Sequence, residues 1–228
     1  MDLNSRQTIV AITVVGFGFL ATGVVLGTGL ANSPRDRDRS EFVSANRHLA
    51  HWDKWTSSGD RMGPDSARVV LVEFGDFQCP ACRALALNEL RFVRSEFPND
   101  VSVVFQHFPM PYHESALVAA HAAKCAATQG RFEEMYNTLY QLQDSLKTLQ
   151  MRDLAKRSRV PDLRSFGECM ADAAVEKALL IGFDQAQLDG VNSTPTLAIN
   201  GVRMPSNPDT AEIRYRILEA MRAAGKPK

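Results

Sequence analysis

Arg68-Val-Val-Leu-Val-Glu-Phe74, followed five residues later by Cys79-Pro-Ala-Cys82, is the stretch on which the fold turns. The first run is mostly apolar and β-branched, as expected of a strand buried on both faces. Residues from about Pro80 to Phe97 carry Ala, Leu and Arg in helical proportion, and Val101 to Phe105 reads as a second strand. Strand, helix and strand in that order predict a βαβ unit, with a parallel pair and a right-handed crossover.

Downstream, helical patterning takes over. It covers His113–Gln129, Arg131–Gln143, Thr148–Ser158, Asp162–Met170 and Ala173–Leu188, with breaks at Gly130 and Pro161. Strand patterning resumes only at Thr196-Leu-Ala-Ile-Asn200, where Asn200-Gly201 is a hairpin signal. Asp209–Ala224 reads as a closing helix with Asp209 near its cap. The fold class is therefore α/β, with a helical insertion at about 112–190 inside a domain spanning 67–228.

Upstream, the chain changes character. Ile9 to Ala31 contains no charged residue, and a helix of that length crosses a bilayer core of about 30 Å. This segment, 9–31, is read as a transmembrane anchor or uncleaved signal after a short flank, 1–8. Gly29 and Ala31 leave cleavage after Ala31 as the alternative. Residues 32–66 are polar and turn-rich and read as a tether, with a short helix from Glu41 to Trp55. Trp52 and Trp55 either sit on a membrane surface or pack on the domain. Arg35, Arg37 and Arg39 outnumber Arg6 across the apolar segment, which by charge alone places the large domain in the cytoplasm. Four cysteines, an even number, suit instead an oxidising compartment if Cys125 and Cys169 pair. We follow the cysteines. Gly23 and Gly27 have the spacing of a helix-pairing motif, although Gly is common in membrane helices.

The 228 residues hold 26 Lys plus Arg and 26 Asp plus Glu, for a formal charge of zero. No long basic run is present, so a nucleic-acid surface is not expected.

Cys79 and Cys82 sit between a buried strand and a helix. A helix N-terminus exposes unpaired N–H groups and the positive end of a dipole, which favour a thiolate. Cys79 is thus the candidate nucleophile. Cys82, one turn further on, is placed to resolve a mixed disulfide, and Pro80 suits the first turn, where no N–H is needed. Metal binding and an inert disulfide are the alternatives. Structural zinc wants four ligands, and no second Cys-x-x-Cys exists. His107 and His113 are possible helpers, though histidines near loops are more often structural or solvated.

Glu73 lies in the apolar strand, where a carboxylate is costly to bury and tends to keep its proton. A buried acid behind the cysteine pair can pass a proton to or from Cys82; otherwise the side chain reaches water at a sheet edge. Val191-Asn-Ser-Thr-Pro195-Thr precedes the last strand, where proline cannot serve as an ordinary ladder donor. Cys125 and Cys169 fall on different predicted helices. A structural disulfide is the role expected of them, with two buried thiols or a second redox relay as the alternatives. His121 and Cys125, at i and i+4, share a helix face but lack further ligands at matching spacing.

Phe-Gln-Cys-Pro-Ala-Cys after a Glu-bearing strand, a helical insertion, and then Ser-Thr-Pro-Thr-Leu-Ala-Ile-Asn-Gly together resemble the DsbA-like branch of the thioredoxin superfamily. Gln106-His-Phe-Pro-Met-Pro and the following His-Glu-Ser-Ala-Leu-Val-Ala-Ala run also look like that branch. The likeness covers about 69–224. It implies a thioredoxin-like core with an inserted helical domain, Cys79 as exposed nucleophile, Cys82 as buried partner and Glu73 as buried acid. It further implies a cis Pro195 with Thr194 touching substrate, and an insertion that shapes a groove for unfolded chains. Ala81 departs from the family's His in the Pro80-Ala81 dipeptide, which implies a weaker oxidant.

The function expected from this resemblance is a membrane-tethered, extracytoplasmic protein disulfide oxidoreductase of the bacterial cell membrane, needing no cofactor of its own. It would introduce disulfides into exported cysteine-containing proteins. Reoxidation would come from a quinone-linked membrane partner of the DsbB or vitamin K epoxide reductase-like type. A reductase or isomerase is the alternative direction. A copper-binding chaperone using the same sulfurs is the alternative class.

Overall fold

The computed structural model describes residues 48–224 of the 228-residue chain. The expected anchor 9–31, its flank 1–8 and the tether before residue 48 lie outside the described residues. Among the described residues no helix is long and apolar enough to cross a membrane.

Helix α1 (Trp52–Ser58) and a short strand β1 (Asp60–Met62) precede β2 (Val69–Gly75). Then come α2 (Pro80–Ala84), a π-helical stretch (Leu85–Leu90) and α3 (Arg91–Glu96), leading into β3 (Val101–His107). The insertion comprises α4 (Ala116–Ala127), α5 (Phe132–Gln141), a 3-10 turn (Gln143–Ser145), α6 (Met151–Arg157), α7 (Leu163–Met170) and α8 (Ala173–Leu188). Strands β4 (Thr196–Ile199) and β5 (Val202–Arg203) and helix α9 (Thr210–Ala224) complete the domain.

The sheet runs β1-β3-β2-β4-β5. β2 and β3 are parallel, from Val69 opposite Val101 to Gly75 opposite His107, as strand-helix-strand order requires. Their neighbours pair antiparallel. Val69 and Leu71 share one face with Val103, Phe105 and Leu197 in the larger core, while Val72 and Phe74 join Val104, Ala198, Trp55 and Phe183 on the other. Period-two alternation with both faces covered explains why β2 reads as an almost continuous apolar run.

A tether extending to residue 66 does not match this structure. From residue 48 onward the chain belongs to the domain. Trp55 is buried against Phe74, with ring centroids 5.1 Å apart, and its indole N–H donates to Asp189 at 2.9 Å. β1 pairs at the sheet edge through Asp60 opposite Phe105. Asp-Arg-Met is too short and polar to show alternation, so the edge strand was invisible in the pattern. Of the short helix expected over 41–55, residues 41–47 lie outside the described residues; the helix observed is Trp52–Ser58.

In the insertion, α4 buries a run of alanines together with Cys125, against Met135, Leu139, Leu154 and Phe166 of its neighbours. Small side chains let helices approach closely, since interaxial distance follows side-chain size at the contact. Cys125 on α4 and Cys169 on α7 are joined as a disulfide, with Cα atoms 5.7 Å apart. The Asn200-Gly201 signal is a tight turn with both residues at positive φ, 43° and 86°, as a type I′ hairpin needs. Asn200 also accepts a hydrogen bond from the Val70 amide at 2.8 Å, tying the turn to the start of β2.

Candidate active site

β2 ends at Gly75, and the chain turns through Asp76, Phe77 and Gln78 before Cys79 caps α2 with extended backbone (φ −78°, ψ 120°) and Pro80 begins the helix. Both thiols are free. Cys79 keeps 7% of its surface exposed and Cys82 none. Asymmetry in access is matched by asymmetry in charge. A hydrogen bond from the Cys82 thiol lowers the Cys79 pKa, outweighing burial; the Thr194 side chain and the amides of Cys82 and Ala81 lower it further, to about 5. Burial pushes the Cys82 thiol well up, reinforced by its bond to Cys79 and by the charges of Glu73 and Cys79. One turn of helix separates a thiolate from a thiol.

The turn carrying Cys79 is clamped from several directions. Asp76 is buried, and its carboxylate accepts from the Gln78 amide at 2.7 Å, the Met110 amide at 2.8 Å and His113 Nδ1 at 2.8 Å. Gln78 Oε1 accepts from the Ser115 amide at 2.7 Å. Gln143 Nε2 donates to the carbonyls of Phe77 at 2.8 Å and Cys79 at 3.0 Å. The Thr194–Pro195 peptide is cis, and Cys79 Sγ lies 3.6 Å from the Thr194 carbonyl oxygen. β4, pairing with β2, brings Thr194 and Pro195 just ahead of it to the cysteine pair from more than a hundred residues away.

Glu73 is fully buried on a central strand, not at a sheet edge facing water. Tyr136 donates its hydroxyl to Oε2 at 2.8 Å, while Oε1 has no protein partner. Burial raises the carboxyl to about 8 against the lowering effect of Tyr136, and the Cys79 charge adds to the rise. A site for Glu73 exists only because position 75 lacks a side chain. A Cβ there would run into the Phe105 ring and come within 3.1 Å of Glu73 Oε1.

The histidines go elsewhere. His113 serves Asp76. His107 Nε2 and Lys124 Nζ both reach Asp60, each at 2.9 Å. Burial, which alone would raise Asp60, is outweighed by these two partners, which hold it below the ordinary carboxylate range. Among the described residues, one trio of potential metal ligands has its donor atoms within 4.8 Å of one another: His121, Cys125 and Cys169. Its sulfurs are consumed in the disulfide, and His121 Nε2 donates to the Cys169 carbonyl at 3.0 Å.

Asp76, Gln78, Tyr136, Tyr140 and Gln143 escaped the reading of the sequence. Asp76 had a signal, a carboxylate between a buried strand and the cysteines. The other four are ordinary residues locally, and tertiary packing alone gives them their place.

The family described as Thioredoxin matches residues 56–219 of the chain. Among curated relatives, the Na(+)/H(+) antiporter NhaA 1 of Mycolicibacterium vanbaalenii is 36% identical over 166 residues, covering 70% of this chain and 26% of that protein. The Na(+)/H(+) antiporter NhaA 1 of Salinispora arenicola is 37% identical over 142 residues, covering 62% and 21%. The chain spans about a quarter of the length of these relatives. Among solved structures, oxidised BdbD from Bacillus subtilis superposes with a TM-score of 0.64 at 22% identity, over 72% of this chain and 93% of that one. Wolbachia pipientis alpha-DsbA1 gives 0.63 at 16%, over 74% and 93%. A linker-deletion variant of Proteus mirabilis ScsC gives 0.67 at 20%, over 84% and 89%. At these identities the likeness to the solved structures is one of fold.

Proposed function

The chain belongs to the thioredoxin family, and from that premise we propose that it is a thiol–disulfide oxidoreductase of the DsbA-like branch, introducing disulfides into exported proteins through Cys79 and Cys82. The observation that carries the oxidising direction is the opposite displacement of the two thiols. Cys79 is held as a thiolate near 5, which stabilises the dithiol form and makes the corresponding disulfide a better oxidant. Ala81 moderates that tendency in comparison with a His at the same position.

The exchange is written with the pair oxidised. A substrate thiolate attacks Cys79 Sγ and breaks the Cys79–Cys82 bond, and the electron pair passes to Cys82 Sγ. A buried Cys82 thiolate is unfavourable, and Glu73, protonated at neutral pH, supplies its proton. A second substrate thiolate then attacks the substrate sulfur of the mixed disulfide and releases Cys79 as a stable thiolate. The substrate leaves with a new disulfide and the protein as dithiol. Thr194, preceding Pro195, offers its backbone to the segment bound at Cys79, and the helical insertion 112–190 borders the groove. A quinone-linked membrane protein of the DsbB or vitamin K epoxide reductase-like type restores the disulfide. Segment 9–31 holds the domain outside the cytoplasm.

Cys82→Ala leaves the first attack possible and removes the resolving sulfur, so exported proteins accumulate on Cys79 as mixed disulfides separable by reduction. Absence of trapped partners in cells overturns the exchange mechanism. The potential of the pair decides direction: a value toward about −120 mV supports an oxidase, and one toward about −270 mV a reductase. A reporter fused at the carboxyl terminus tests location; cytoplasmic activity of that reporter overturns it.

A further inference from the structure

Glu73 has two carboxyl oxygens in very different company. Oε2 receives the Tyr136 hydroxyl, and Oε1, equally buried, faces the space kept open by Gly75 and has no protein partner. Tyr136 belongs to α5, in the insertion, and is locked in an aromatic cluster. Its ring centroid lies 6.0 Å from Phe77, 5.3 Å from Phe105 and 4.9 Å from Tyr140. A phenol so packed cannot swing away, and its single proton is committed to Oε2. A neutral carboxyl carries one hydrogen on one oxygen, and an oxygen already accepting a strong hydrogen bond is the poorer place for it.

We infer that Tyr136 is a positioning residue for proton transfer, fixing Glu73 through Oε2 so that the exchangeable proton is confined to Oε1. This rests on the reading of Glu73 as proton donor to Cys82. It also assigns the helical insertion a part in the chemistry beyond shaping a groove. When the Cys79–Cys82 bond breaks, the proton leaves Oε1 for Cys82 Sγ, and the new carboxylate is stabilised at once by the Tyr136 hydrogen bond on Oε2. The titratable groups facing this carboxyl are Cys79 and Cys82 at the start of α2 and Tyr136 and Tyr140 on α5, with Arg94 of α3 acting on Tyr136. β3 and β4 present Phe105 and Leu197 opposite Glu73. Tyr140 supplies a control within the same cluster, because its buried hydroxyl has no protein partner.

The test follows the rate at which dithiothreitol reduces the Cys79–Cys82 disulfide of the full chain, from about pH 6 to about pH 10, with the reagent's own ionisation divided out. The unsubstituted protein shows a limb set by Glu73, raised by burial but below the dithiol value because the Cys79 charge that adds to the rise is absent from the disulfide, and Glu73→Gln abolishes it. Tyr136→Phe keeps the ring but removes the donor that favours the carboxylate, so the limb moves upward by roughly one unit. Tyr140→Phe leaves it in place. Near-UV spectra and thermal midpoints verify that the variants are folded. A Tyr136→Phe profile that superimposes on the unsubstituted one overturns the assignment while leaving Glu73 as donor. An equal shift in Tyr140→Phe overturns it too, since the effect then belongs to the polarity of the cluster. A limb that survives Glu73→Gln overturns the donor reading itself.

Discussion

Two cysteine pairs divide this molecule between them. Cys79 and Cys82 are free thiols three positions apart in sequence, at a strand-to-helix junction, whereas Cys125 and Cys169 are 44 positions apart and bonded between α4 and α7. In the first pair the environments of the two sulfurs are driven apart: one sits at a helix N-terminus with donors around it, the other is sealed in the core beside a carboxyl. In the second, both sulfurs lie among packed helices, and the bond adds a covalent link to elements already joined by the Phe166 packing and by His121 donating to the Cys169 carbonyl. Reactivity comes from unequal surroundings within a short span. Mechanical service comes from joining distant ones.

Removing each pair in turn separates reactivity from stability. Cys79→Ser removes the nucleophile and lowers exchange with a cysteine-containing peptide by at least about a thousandfold, without loss of the cooperative unfolding transition. A stopped-flow or quenched exchange assay reads the first, and a urea titration the second. Replacing Cys125 and Cys169 together by Ala does the reverse. The oxidised protein loses about 4 kcal/mol of stability in the chain-entropy model for a loop of this length, measured by urea unfolding, while exchange per folded molecule stays within about twofold.

Glu73 links stability to the redox pair through pH. Its folded value of about 8 lies above the ordinary carboxyl value of 4.5, so the folded dithiol protein holds a proton that the unfolded chain releases across that window. Its contribution is fully present below the unfolded value and is lost as pH rises through the folded one. Cys79, lowered to about 5 from 9.0, runs oppositely: its contribution is present above the unfolded value and lost as pH falls through the folded one. The two slopes offset one another between about 5 and 8. Glu73→Gln removes one of them, so the dithiol variant gains stability with rising pH more steeply than the unsubstituted protein. The difference reaches a few kcal/mol, on the order of 3, by pH 8. Urea midpoints at two pH values measure it; parallel slopes would remove Glu73 from the linkage.

The smallest effect concerns the bridge between the two regions. Gln143→Ala deletes the donor shared by the Phe77 and Cys79 carbonyls and costs about 1–2 kcal/mol. It also slows exchange several-fold by loosening the turn that presents Cys79. Equal stability loss with unchanged exchange would make Gln143 a structural residue only.

Much of this was legible along the chain because the signals are local. Val69–Phe74 reads as a doubly buried strand from composition alone. Cys79-Pro-Ala-Cys82 reads as a helix start because proline and a capping position announce one. Asn200-Gly201 reads as a turn because both residues tolerate positive φ. The helices of the insertion follow from spacing, with boundaries off by a few residues where caps are weak. β1 was missed, since an edge strand of three polar-rich residues carries no period, and the short helix expected up to Trp55 is observed at Trp52–Ser58.

By itself, the sequence determined the α/β class, the strand-to-helix seat of Cys79 and Cys82, the presence of an acid behind them in β2, and the hairpin that closes the sheet. Each depends on backbone preferences or alternation within about ten residues. Tertiary structure decided which of the readings holds for Cys125 and Cys169, and it alone decided that Gln143 holds the active turn and that Tyr136 takes one oxygen of Glu73. Those contacts bridge 44 to 66 residues. Close packing of alanine-rich helices and an aromatic cluster against the sheet creates them, and no local preference encodes which distant side chain fills a given gap.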